Sequence, residues 1–230
     1  MAIKRKQVKK DEETLINLAT ARTRLGMFFE ENQKIILGVI GAIVLVVGGW
    51  FVYHNLIMQP KEERAMAQMW MAQVQFEQDS FSTALDNPGG GYSGFLKIIS
   101  DYKGTKAANL SNYYAGISYL NLGNFDAALS FLNDFSPNGI IGPVMKHGAL
   151  GDVYSELNQM DKAVDNYKKA AEASDNELLT PYYLKKLAML YETQNDYAKA
   201  LEIYKRIKSK YPNSNEALSI DKYIARAEAR

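Results

Sequence analysis

The sequence predicts an all-α protein, with a single N-terminal transmembrane helix followed by an α-solenoid. Two patterns carry that prediction. Residues 35–53 read IILGVIGAIVLVVGGWFVY, nineteen positions without a charge. Beyond residue 60, helical stretches alternate with short polar breaks, and the period-two alternation of a strand is almost absent. A third observation is an absence. The 230 residues hold no cysteine and two histidines, His54 and His147, which excludes disulfides, a thiol nucleophile and metal sites built on Cys or clustered His. It also excludes a lipid anchor attached to an N-terminal cysteine, and it fits an oxidising compartment. The 27 basic and 26 acidic residues leave a net charge of +1, too weak a field to displace phosphate counterions from nucleic acid. With 47% apolar residues, the composition is that of a folded chain rather than a disordered one.

The leader, residues 1–34, holds Lys4, Arg5, Lys6, Lys9, Lys10, Arg22, Arg24 and Lys34 against five acids. Within it, Leu15, Leu18, Leu25 and Phe29 recur at helical spacing. That face suits an anionic membrane surface, a partner, or a plain extension of the anchor helix, and the sequence leaves the three open. The membrane segment is placed at 35–57. Its uncharged run makes about 28 Å of helix, close to the hydrocarbon thickness of a bilayer. Gly38, Gly41, Gly48 and Gly49 would weaken a soluble helix but are frequent in membrane spans, and Trp50, Tyr53 and His54 suit the headgroup layer. HNLIMQP follows without a small-residue cleavage pattern, so the segment reads as an uncleaved signal anchor. Beyond it, Lys61, Glu62, Glu63 and Arg64 cancel. The cationic excess of the leader therefore places the N-terminus in the cytoplasm and the remainder across the membrane. In a bacterium this is a single-pass inner-membrane protein with a periplasmic bulk.

A new helix is signalled at Pro60, and residues 60–104 read as a degenerate leading pair. Phe81 and Ala84 keep a turn signature there, but Pro88 and the glycines after it cut the second helix short. From 105 to 212 the chain repeats itself. Gly116, Tyr119, Gly123, Phe125, Ala128 and Leu132 correspond to Gly151, Tyr154, Asn158, Met160, Ala163 and Tyr167, and then to Ala188, Tyr191, Asn195, Tyr197, Ala200 and Tyr204. The offsets are 35 and 37 residues, close to a known helix-pair period. Small residues permit close helix approach, aromatic rings fill the layers between helices, and Gly or Asn makes the turn. Residues 213–230, richer in charge, read as a capping helix.

These motifs resemble the tetratricopeptide repeat family, so the predicted fold is a tetratricopeptide-repeat α-solenoid of three repeats after the degenerate pair. The resemblance implies that the first helix of each pair lines a concave face. The residues expected there are Tyr113, Ile117 and Leu120, then Met145, Asp152 and Ser155, then Tyr182, Lys185 and Met189. Some adaptors of that family clamp a C-terminal carboxylate with Lys and Asn on the first helix. Tyr113 and Ile117 stand in those places here, so that activity is not carried over. The two residues either contribute to a binding face or pack against 61–103. The sequence leaves both readings open.

Other constellations carry little chemistry. PGGGYSG at 88–94 lacks the lysine and the preceding strand of a phosphate loop and reads as an inter-repeat connection. His147 near Asp152 has no accompanying serine elbow and reads as structural. Glu62 and Glu63 read as partners of their own helix dipole or as solvated charges. The tyrosines fall at core spacing without a basic groove. No enzyme activity, catalytic residue, cofactor, metal, nucleic acid or small-molecule substrate is expected.

Taken whole, the basic leader, the single span and the stretch GFLKIISDYKGTKAANLSNYYAGISYLNLGNFDAAL resemble the ancillary subunit of the bacterial Sec translocon. That resemblance implies a periplasmic adaptor beside the channel. Its partners would be Sec channel subunits, a membrane-anchored prolyl isomerase or another periplasmic chaperone, and secreted chains as they emerge. The alternative is a scaffold subunit of another envelope complex, for secretion, division or outer-membrane assembly.

Overall fold

A computed structural model describes Met27 and residues 30–230. The leader face expected from Leu15, Leu18, Leu25 and Phe29 lies outside the described residues. Contacts divide the chain into two units, Met1–Pro60 and Lys61–Arg230. In the first, residues 30–53 form helix α1, and nearly every side chain of its apolar run is exposed. The helical stretch Glu30–Glu77, to which α1 belongs, contains a window long and apolar enough to cross a membrane. At the end of the run Trp50 stacks on His54 with ring centroids 5.3 Å apart, and His54–Met58 widens into a π-helical turn.

The second unit is helical throughout its regular structure. After α2 (Gln59–Glu77) come α3 (Phe81–Asp86), α4 (Phe95–Asp101), α5 (Lys106–Asn121), α6 (Phe125–Asp134), α7 (Ile141–Glu156), α8 (Met160–Glu172), α9 (Leu179–Thr193), α10 (Tyr197–Lys210) and α11 (Ile220–Glu228). Four of the connections are built alike. Asp79, Gly123, Asn158 and Asn195 take left-handed φ values of 57°, 75°, 56° and 61°. In each case the next residue's N–H reaches back five positions to a carbonyl, Ser80 to Gln75, Asn124 to Tyr119, Gln159 to Tyr154 and Asp196 to Tyr191, all at 2.9 Å. This is the Schellman closure, which satisfies helix-end carbonyls and turns the chain sharply. The hairpin between α2 and α3 thus shares its turn with the pairs α5/α6, α7/α8 and α9/α10.

Inside each later pair, a small residue admits its neighbour. A Cβ built on Gly116 would fall 2.6 Å from Leu132 Cγ, and one on Gly151 would fall 2.5 Å from Tyr167 Cδ1. Ala188 and Tyr204 are both fully buried in one cluster. Between pairs, Gly148 of α7 takes the ring of Tyr183 from α9 against its backbone. Residues of α11, including Ile220 and Ala227, complete the final cluster with Tyr204 and Ile207.

The leading helices are held differently. Pro88 follows a second helix of only six residues, and α4 brings the buried Phe95 and Ile98 into the space beside it. Tyr114 of α5 stacks on Phe95 at 5.0 Å and meets Phe76 of α2 edge-on at 4.9 Å. The aromatic that packs against the leading helices is therefore Tyr114, while its neighbour Tyr113 faces the other way. Glu62 goes beyond expectation. From the first turn of α2 its carboxylate also accepts from the amides of Lys106 (2.6 Å) and Ala107 (2.9 Å) in another helix, and Thr105 Oγ1 accepts from Ala108 at 3.0 Å. Three donors at the start of α5 are thereby satisfied, two of them from 44 and 45 residues away. Lys61 Nζ adds a 2.8 Å bond to the carbonyl of Lys103.

Candidate functional site

The first helices α5, α7 and α9 carry the expected face, and its centre is Asp152. Asp152 Oδ1 accepts from the Tyr167 hydroxyl at 2.6 Å and from Lys186 Nζ at 2.7 Å. The ammonium also lies 5.1 Å from the centroid of Tyr182 and 5.8 Å from that of Tyr167. This triad joins α7, α8 and α9, so one carboxylate ties both helices of one pair to the first helix of the next. The Asp152 and Lys186 side chains keep 28% and 30% of their surface exposed, so the pair is still reached by water.

An open cleft runs past this triad. One part, of about 540 Å³, is lined by Leu120, Asn121, Phe125, Asp152, Ser155 and Lys186 among others. A second, of about 450 Å³, shares Ser155, Tyr167 and Lys186 and continues to Met189, Glu192 and Arg226. At that end Arg226 of α11 donates to both carboxylate oxygens of Glu192. Apolar, amide and charged groups alternate along the cleft. A larger cleft of about 750 Å³ opens between the α4–α5 and α6–α7 connections, but none of the nine expected residues lines it.

Burial first, and then the neighbouring charge of Asp152 together with its hydrogen bond, push the Tyr167 phenol well above its ordinary range. Tyr183 is raised for the same leading reason. Tyr113 is pushed up to about 12 by burial, with smaller contributions from Tyr114, Asp152 and Tyr182. For Lys186, burial is the largest influence and opposes the charge, but the attraction and hydrogen bond to Asp152 together with Tyr182 raise the pKa on balance. These phenols stay protonated donors and the lysine stays a cation. Such groups can position and bind.

Of the expected residues, the structure brings Leu120, Asp152, Ser155 and Met189 onto the cleft. Tyr182 is exposed beside Lys186. Tyr113 and Ile117 are half-buried against the cluster of α6 and α7, with the Tyr113 ring 5.5 Å from Phe135. Met145 is half-buried on α7 and lines neither part of the cleft. Lys185 turns away to lie 5.0 Å over Tyr223 of α11. Residues that the sequence did not single out for binding are Lys186, Glu192 and Arg226, together with the hydroxyl of Tyr167, which reads as core by spacing. His147 Nδ1 lies 3.3 Å from Asn166 Oδ1, a contact between the helices of one pair. Among the described residues no three His, Cys, Asp or Glu come together as metal ligands.

Residues 144–209 match the family model described as Tetratricopeptide repeat. The matched stretch spans α7 to α10, so the Asp152 triad lies inside it, and the chain carries tetratricopeptide repeats there. No curated protein matches the chain.

Proposed function

We propose that this chain is a membrane-anchored adaptor whose repeats stand in the periplasm and hold segments of other proteins. Tetratricopeptide repeats point to protein–protein interaction, and the observation that carries the reading is the open cleft of mixed polarity along α5, α7 and α9. Extended or helical segments bind such surfaces through a few apolar anchors and main-chain hydrogen bonds. Leu120, Phe125 and Met189 supply the anchors, while Asn121, Ser155 and Lys186 supply polar partners. The α5/α6 pair is counted as a third repeat because it shares the turn and the small-residue contact of the matched pairs.

The periplasmic orientation rests on the cationic excess before the apolar run. Association with the Sec channel, and with chaperones receiving emerging chains, rests on the whole-chain resemblance to the translocon's ancillary subunit. The test is photocrosslinking in intact cells from reactive residues at Ser155 and Met189, with Lys168 on the second helix α8 as control. Capture of channel subunits, a periplasmic chaperone or secreted chains from the first two positions supports the adaptor at the translocon. Capture of one other envelope assembly converts the reading to a scaffold. Equal capture from Lys168 removes the cleft from the mechanism.

A further inference from the structure

The connections from each second helix to the next first helix share a feature. Ile140 ends the first of them, Leu178 ends the second, and Leu218 lies in the third just before α11; these residues are 73%, 66% and 84% exposed. Their spacing, 38 and 40 residues, follows the repeat. Successive helices run antiparallel, so these connections gather at one end of the array. Bonds between neighbouring connections agree with that: Asn109, near the start of α5, exchanges two 2.8 Å bonds with the Ser136 backbone, and Lys210 and Tyr211 reach Asp175 at 2.8 and 2.7 Å. The turns at the opposite end, around residues 123, 158 and 195, carry one exposed large apolar side chain, Leu122, among the described residues.

The end that bears the apolar row is also where the chain enters the array, since Glu62 and Lys61 bind the start of α5 and the carbonyl of Lys103. Lys61 follows Tyr53, the last residue of the apolar run, by eight positions. That distance is at most about 28 Å of chain. We infer that Ile140, Leu178 and Leu218 dip into the bilayer interface and seat the repeat array on the membrane by its loop edge. The inference rests on the reading of residues 35–53 as a membrane anchor. A tether so short keeps the edge at high effective concentration beside the lipid, so three apolar side chains suffice where they would not hold a free protein. Glu177 and Glu216 flank Leu178 and Leu218, so the contact is apolar and does not require anionic lipid.

The absence of cysteine allows a direct test on the full chain. Single cysteines at Val44, Asn138 and Gln194 would carry an environment-sensitive fluorophore in zwitterionic vesicles brominated in the upper acyl chain. Strong quenching at Val44 and Asn138, with little at Gln194, is the expected result. The I140S/L178S/L218S variant should cut quenching at Asn138 at least threefold and leave Val44 unchanged. Quenching at Val44 with Asn138 no different from Gln194 overturns the seating and leaves the anchor standing. No quenching at Val44 overturns the anchor and the seating together. Shielding of Asn138 in native membranes but not in vesicles also overturns it, and assigns the row to a protein partner.

Discussion

The leading helices α2–α4 and the matched repeats α7–α10 solve the same packing problem by different means. In the matched pairs a small residue lets a large one lie against the backbone, as Gly151 does for Tyr167, and the Asp152 bonds to Tyr167 and Lys186 sit at the rim of that packing. In the leading group the second helix stops at Asp86, and no such pair is made. An aromatic cluster of Phe76, Phe95 and Tyr114 fills the volume instead, and hydrogen bonds from charged side chains to the backbone, Glu62 to the start of α5 and Lys61 to the carbonyl of Lys103 just before it, fix the register. In the regular repeats shape fills the interior and charge sits at its rim. The truncated one is held by shape plus charge.

If shape governs the matched repeats, Gly151→Val should be the most damaging change, because its side chain would overlap the Tyr167 ring. A loss of about 3 kcal/mol is expected from overpacking, read from urea unfolding of the full chain in nanodiscs. Glu62→Gln should cost about 2 kcal/mol, the scale of hydrogen bonds to a charged acceptor. Hydrogen exchange should then quicken at the amides of Lys106 and Ala107, while α7–α10 keep their protection. A uniform loss across both regions would break the distinction.

Alkali sharpens the comparison further. The Tyr113 phenol moves from 10.0 to about 12 in the folded protein. Its raised pKa means that the stability Tyr113 contributes is intact below pH 10, falls as the unfolded chain begins to lose the proton, and is gone above about pH 12. Tyr113→Phe should flatten that fall and remove a late step from the tyrosinate absorbance titration. Smallest of all, Asp79→Gly should stabilise the leading hairpin by about 0.5–1 kcal/mol, because Asp79 holds a left-handed φ that glycine adopts freely. Gly123 already occupies the matching place between α5 and α6, so a thermal melt showing no gain would mean that the Asp79 side chain compensates.

Local signals made much of this fold legible. Gly123, Asn158 and Asn195 are visible as turn residues because backbone conformation is dictated within a few positions. The pairing of Gly116 with Leu132 and of Gly151 with Tyr167 follows from helical spacing inside one hairpin. The cleft is only partly legible. Asp152, Ser155 and Met189 follow from the same spacing, but Lys185 and Lys186 are adjacent, and the choice between them depends on Tyr223 and Asp152, which lie far away in sequence. Glu62 is the clearest case. Its position in the first turn of α2 suggests service to its own dipole, and only the assembled array reveals two amides of α5 in reach.

That grip also has a mechanical meaning. A pull on the chain from its N-terminal side enters the array at residue 61, where the first attachments it meets are the Lys61 bond to Lys103 and the Glu62 bonds to α5. Tension would have to shear these polar clamps before α2 could peel from its neighbours. Strain arriving from that side is thus borne first by a replaceable set of hydrogen bonds, and the buried aromatic layers behind them are spared.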